Sequence, residues 1–154
     1  MVTIEYLADH PEAVPMLARL HHEQWRAVTP HLTIADRIAG FQSRMQRQQV
    51  PTGFVAVVDG TVAGMACLVA HDMETRPELT PWLATVLVAP EYRRRGIGSA
   101  LSERVAVEGR VLGFPQLYLV TFDKTGLYAR LGWSEMERTE FLGLPATIMV
   151  RGLR

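Results

Sequence analysis

Cysteine is nearly absent from this chain of 154 residues. Cys67 is the only one, so no internal disulfide can form, which suits a reducing compartment and leads us to expect a cytoplasmic protein. Long hydrophobic runs are missing as well. Stretches such as Phe54 to Val58 are far too short to span a bilayer, and Met1-Val2-Thr3-Ile4-Glu5-Tyr6 lacks the basic start and apolar core of a signal peptide. There is no excess of charge of either sign, because 16 Lys and Arg balance 16 Asp and Glu. Net charge therefore supplies no long-range attraction to nucleic acid or anionic membrane. Repeats, low-complexity tracts and linkers are also lacking, which predicts one domain over residues 1–154. What remains is ordinary globular composition, 48% hydrophobic and 21% charged, long enough to bury a core.

Periodicity supplies an element order. Val2 to Leu7 alternates like a strand. Asp9-His10-Pro11 reads as a helix start capped by Asp9, after which Val14, Leu17, Ala18, His21 and Trp25 share one helical face. Thr33-Ile34-Ala35-Asp36 reads as a capping box opening a second helix that runs to about Gln48. Asp59-Gly60-Thr61 separates two apolar, β-branched runs, Phe54 to Val58 and Val62 to Ala70, as in a hairpin. Trp82 to Val88 is a strand, and Ile97, Leu101, Val105 and Leu112 mark a helix ended by Gly113. Gln116 to Phe122 is a strand, Thr125 to Leu131 a short helix, and Trp133 to Arg138 and Pro145 to Arg151 are extended. The β-α-β passage demands a parallel crossover and the hairpin an antiparallel pair. The expectation is an α/β (α+β) chain with a mixed β-sheet flanked by helices.

The passage from Val86, Leu87 and Val88 through Arg93, Arg94, Arg95, Gly96, Ile97, Gly98 and Ser99 carries the most chemistry. A strand ends, a basic loop follows, and two glycines open an amphipathic helix. First-turn amides lack internal partners and sit at the positive end of the helix dipole, so a pyrophosphate is a fitting guest. Glycines allow close backbone approach, and an arginine can grip phosphate bidentately. A dinucleotide fingerprint would need its glycines directly after the strand, whereas Ala89 to Arg95 intervene. A P-loop would need Gly-Lys-Ser/Thr. A solvated basic loop ahead of an ordinary helix is the plain alternative.

The string Val-x-Pro-x-x-Arg-x-x-Gly-x-Gly-x-x-Leu, Val88 to Leu101 here, resembles the acetyl-CoA motif of the GNAT acetyltransferase superfamily, and the element order is similar to that fold over nearly the whole chain. The resemblance implies a single-domain GNAT-like mixed sheet with splayed central strands, acetyl-CoA as cosubstrate, and a pyrophosphate held by the amides of Arg95 to Ser99. It further implies that the Trp82–Val88 strand pairs with the pantetheine near Leu87 and Val88. Arg94 departs from the family, which commonly has Gly there. Leu127-Tyr128-Ala129-Arg130-Leu131-Gly132-Trp133 resembles the family's second signature. It implies that Tyr128 lies beside the sulfur as the general acid, with Thr121 on the cofactor side. The Asn that many relatives place before this tyrosine is missing.

By spacing alone, Tyr128 reads more readily as a half-buried helix aromatic with its hydroxyl in solvent, and the two motifs together reverse that preference. Trp25 and His71 are candidate acceptor-binding residues. His71, Asp72, Glu74, Glu78, His22 and Glu23 are all candidate bases, and none stands out. His22-Glu23-Gln24-Trp25-Arg26 lacks the second histidine of a zinc-protease helix, and no ligand spacing suggests a metal. Cys67 reads as a packing residue. The resemblance implies an acetyl-CoA-dependent N-acetyltransferase acting on a primary amine, and we expect a monomer or homodimer without nucleic-acid or membrane partners. A CoA-binding sensor domain is the alternative, and a basic-loop nucleic-acid module a third reading, which would bind in a strongly salt-dependent way. Glu23-Gln24-Trp25, Thr121-x-Asp123 and Leu144-Pro145-Ala146-Thr147 also resemble the actin N-terminal acetyltransferase subgroup.

Overall fold

The computed structural model describes all 154 residues as one α+β domain. Seven strands alternate with four helices: β1 (Val2–Tyr6), α1 (Val14–Trp25), α2 (Ile34–Gln42), β2 (Thr52–Val58), β3 (Thr61–Val69), β4 (Trp82–Val88), α3 (Ile97–Val111), β5 (Gln116–Thr121), α4 (Thr125–Arg130), β6 (Ser134–Phe141) and β7 (Leu144–Gly152). They form one sheet in the order β1-β2-β3-β4-β5-β7-β6, antiparallel everywhere except between β4 and β5. No helix is long and apolar enough to cross a membrane.

Both faces of the sheet are covered. On one face Val55, Val57, Met65, Cys67, Trp82 and Ile148 pack against Leu7, Val14, Leu17 and Phe41 from the α1–α2 side. On the other, Phe54, Leu68, Leu83, Leu117 and Met149 pack against Ile97, Leu101 and Val105 of α3. Alternation along each strand thus feeds two cores. Cys67 is fully buried among apolar neighbours, and burial pushes its thiol upward, which keeps it inert.

The predicted elements recur with four differences. Asp9 caps nothing: two short 3-10 turns, Leu7–Asp9 and Pro11–Ala13, precede α1, and Asp9 instead pairs with Arg47. α2 does open with the capping box, Asp36 N–H donating to Thr33 Oγ1 and Thr33 N–H to Asp36 Oδ2, but it stops at Gln42 rather than Gln48. The residues after it are drawn to the sheet: Met45 and Gln46 bridge to Thr52, whose hydroxyl donates to the Gln46 carbonyl. Strand β6 reaches Phe141 and β7 begins at Leu144, so the last hairpin is longer than the sequence suggested. The fourth difference is a bulge in β4. Met65 pairs with Leu87 but Cys67 with Ala84, so one residue of β3, Ala66, faces two of β4, Thr85 and Val86.

That bulge flips the alternation of β4. Trp82 and Ala84 face the α1 side, and simple alternation would send Val86 there too. Instead Leu87 joins that core, while Val86 and Val88 turn toward α3. The extra residue centres on Thr85, whose φ of 55° is exceptional for a β-branched side chain. Glycine at position 64 permits the close approach of β3: a Cβ there would lie 2.4 Å from the Leu87 carbonyl oxygen.

Candidate active site

The parallel pair at the centre of the sheet barely pairs. β4 and β5 meet in register only at Trp82 and Tyr118, where Tyr118 N–H also donates to the Pro81 carbonyl at 3.0 Å. Their outer neighbours remain paired along their lengths. Beyond Trp82 the two strands diverge, leaving the β5-facing backbone edge of β4 without strand partners. Backbone polar groups in a folded interior require partners, so this edge is suited to an extended ligand lying between the strands.

A cavity of about 980 Å³ occupies the divergence. Leu83, Ala84, Thr85 and Val86 of β4 form one wall, and Leu119, Val120 and Thr121 of β5 the other, and Tyr128 of α4 lines it as well. The remaining lining comes from α1, the α1–α2 connection, α2 with Arg44 just beyond it, residues 72–75, residues 122–124 and the β6–β7 turn. Trp25, proposed from sequence for the acceptor side, lines this cavity with its ring 5.7 Å from that of Phe122, which in turn stacks 5.9 Å from Phe141. His71 is exposed and does not line it, whereas its neighbour Asp72 does. His22 reaches α2 instead, and Glu23 is exposed.

Tyr128 is 8% exposed and packs edge-on against Trp133 at 6.0 Å. Burial pushes its phenol upward, partly offset by the Ser102 hydroxyl, so it stays protonated and able to donate. Thr121 is buried beside it in the lining, its hydroxyl accepting the Lys124 N–H at 3.0 Å and holding the turn into α4. Asp72 is desolvated, which pushes its carboxyl above the ordinary range, against the pull of Arg44. A carboxylate raised in this way is a better proton acceptor than a solvated one.

The opening of α3 has the geometry expected of a phosphate cradle. The first helical hydrogen bond runs from Ala100 N–H to the Gly96 carbonyl, so the amides of Ile97, Gly98 and Ser99 have no helical acceptor. Gly96 takes φ 75°, a left-handed conformation that a side chain would strain, and turns the chain into the helix. Arg93, Arg94 and Arg95 are exposed around this turn. Arg93 Nε donates to the Val88 carbonyl at 3.1 Å, and Arg95 lies 5.4 Å over the Tyr92 ring. Arg94 has φ 63°, a left-handed conformation that strains a residue with a side chain and that glycine would adopt freely.

Val86 lines the cavity, Leu87 is buried in the core and Val88 ends the strand beside the cradle. Residues 14–133 match the Acetyltransferase (GNAT) family. The chain belongs to that family. Among proteins of described function, this GNAT chain is 37% identical over 101 residues to the mycothiol acetyltransferase of Mycobacteroides abscessus, a match covering 64% of this chain and 34% of that protein. The chain thus spans about a third of that relative's length. In fold it is similar to yncA, a putative acetyltransferase from Salmonella typhimurium solved with its cofactor acetyl-CoA (TM-score 0.76, 18% identity, 99% of this chain and 94% of that one). It is equally similar to an N-acetyltransferase from Staphylococcus aureus Mu50 (TM-score 0.76, 17% identity, 100% and 99%). At these identities the two structures establish the GNAT fold.

The lining residues that escaped sequence reasoning include His21, Arg37, Arg44, Thr85, Phe122 and Phe141. His21 carried only a helix-face signal, and the two arginines look like ordinary solvated charges on a helix. The Thr85 bulge leaves one trace, the broken alternation between Ala84 and Leu87.

Proposed function

We propose that this chain is an acetyl-CoA-dependent N-acetyltransferase that moves an acetyl group to a primary amine by direct attack. The observation carrying this reading is the conjunction of the β4–β5 divergence, the unpartnered amides opening α3, and Tyr128 in the wall of the cavity between those strands. The residues fit the cosubstrate: Ile97, Gly98 and Ser99 amides with the Arg93–Arg95 charges hold a pyrophosphate, and the free edge of β4 near Leu87 and Val88 holds an extended pantetheine. Bound acetyl-CoA supplies an activated acetyl thioester.

The chain's own groups account for the remaining steps. Asp72 accepts a proton from the entering ammonium, directly or through water, leaving the amine lone pair free to attack. Backbone amides at the distorted part of β4 polarise the acyl carbonyl. The Tyr128 hydroxyl donates its proton to the departing thiolate. Trp25, with Phe122 and Phe141, walls the acceptor side. We read the protein as cytoplasmic, a monomer or homodimer, with residues 1–154 acting as one catalytic domain and without nucleic-acid partners. None of the relatives described above supports the finer resemblance to the actin N-terminal acetyltransferase subgroup.

The test is an amine panel assayed by thiol release, followed by Tyr128→Phe with the best acceptor. Loss of general-acid help should lower kcat about a hundredfold, with acetyl-CoA affinity little changed. Wild-type turnover in the Phe variant would leave Tyr128 as a packing residue. Tight CoA binding without turnover of any amine would favour the sensor reading.

A further inference from the structure

The acceptor half of the cavity contains two guanidinium groups with no carboxylate partner. Arg37 is only 4% exposed, and neither it nor Arg44 takes part in any ion pair. Arg37 donates from Nη1 to His21 Nδ1 at 3.1 Å, from Nε to His22 Nδ1 at 3.3 Å and from Nη2 to Thr29 Oγ1 at 2.9 Å. A guanidinium cannot accept, so both imidazoles accept through Nδ1. Three of five N–H groups are engaged, which leaves two without a protein acceptor at the cavity wall. Arg44 donates from Nη1 to Thr85 Oγ1 at 3.0 Å, placing the second cation at the bulge of β4.

No acid forms an ion pair with Arg37, and Asp36 acts on it only through space, raising its pKa against the larger effect of burial. Asp36, its sequence neighbour, is exposed and committed to the cap of α2. Glu74, Asp123 and Glu140 line the same cavity but are exposed to solvent. Asp72 lies near enough to feel Arg44 without forming an ion pair. A buried, uncompensated cation is costly unless something completes it, and an arginine fork is matched to a carboxylate. We infer that Arg37, with Arg44, forms an anion subsite, and that the amine acceptor is a carboxylate-bearing molecule whose apolar body lies against Trp25, Phe122 and Phe141. The ammonium end faces Asp72 and the diverging strands, and the carboxylate end faces the α1–α2 junction. This rests on the acetyltransferase reading for its assignment of the acceptor side.

The inference is tested by binding, independently of turnover. N-acetyl-L-phenylalanine has the carboxylate, an apolar body and an already acetylated amine; its carboxamide differs only in the anion. Titration of each against wild-type protein, followed by tryptophan fluorescence, uses Trp25 as reporter, since Trp82 and Trp133 are buried. The acid should bind at least about tenfold tighter than the amide, as a charge-assisted bidentate pair requires. Arg44→Met, at a half-buried position, should narrow that difference with the melting temperature retained, and Arg37→Lys should narrow it through loss of the fork. Equal binding of acid and amide by the wild type, or no binding of either at millimolar concentration, would overturn the subsite and leave Arg37 as a clamp between α1 and α2. The CoA-induced melting shift, recorded on the same samples, bears on the acetyltransferase reading alone: without it that reading fails, whatever the acid–amide comparison shows.

Discussion

Replacing His21 with Gln should remove a specific part of the pH dependence of stability. His21 lies in the last turns of α1, with its ring 5.5 Å from Phe41 and 5.9 Å from Trp25, and its Nδ1 accepts from Arg37. Burial first, and then the charges of Arg37, Arg44 and His22, lower its pKa from 6.5 to about 4. At 1.36 kcal/mol per pH unit, this difference corresponds to at most about 3.4 kcal/mol. Its partial solvent access reduces that to about 2–3 kcal/mol. Because the folded pKa is depressed, the unfolded chain binds more protons between pH 6.5 and 4. Stability is therefore complete above about 6.5 and is lost as pH falls toward 4. His10, whose pKa is raised by Glu5, works in the opposite sense, and so does Asp72, whose pKa is raised by burial. Only the difference between two proteins isolates His21. Gln retains an oxygen that can accept from Arg37. Urea unfolding of wild type and His21→Gln at a series of pH values should show the wild type losing about 2 kcal/mol relative to the variant between pH 7 and 4.5. A difference independent of pH would refute the burial of a neutral His21 against Arg37, on which the acceptor-side geometry depends.

Two further outcomes follow from other contacts. Arg94→Gly relieves a left-handed φ of 63° and should stabilise the fold by about 0.5–1 kcal/mol, after the entropy cost of glycine, with acetyl-CoA affinity falling only a fewfold; denaturant midpoints and calorimetry would check both. Glu108 is 2% exposed and accepts from Tyr6 Oη, Gln48 N–H and Arg104 Nη1. Glu108→Ala should therefore cost about 3 kcal/mol and lower the melting temperature by roughly 6–12 °C; an unchanged melt would mean these donors find other partners.

Much of this architecture is readable from periodicity. Asp59-Gly60 joins β2 to β3, the Thr33–Asp36 box opens α2, and Ile97, Leu101 and Val105 mark the buried face of α3. These features are local: a turn, a cap or a helical face follows from a few adjacent residues. The geometry at the opening of α3 is legible for the same reason, because a strand end, a basic loop and glycines before a helix specify unpartnered amides there. The acceptor side is not. Its residues are brought together by long-range packing, such as Arg37 of α2 meeting His21 and His22 of α1, and Arg44 meeting Thr85 across the sheet. No spacing along the chain encodes those meetings. Asp72 shows the intermediate case, one of six candidate bases by residue type and singled out by its burial and place on the cavity wall.

The most direct test of the central claim is the melting temperature with and without acetyl-CoA, for wild type and Gly98→Pro. Proline at 98 deletes one cradle amide that has no helical acceptor, so the helix loses no internal hydrogen bond. Acetyl-CoA at about a hundred times its dissociation constant should stabilise the wild type by roughly 2.7 kcal/mol, a rise of about 5–10 °C, and the folded variant far less. No shift of the wild type at millimolar acetyl-CoA would contradict the account.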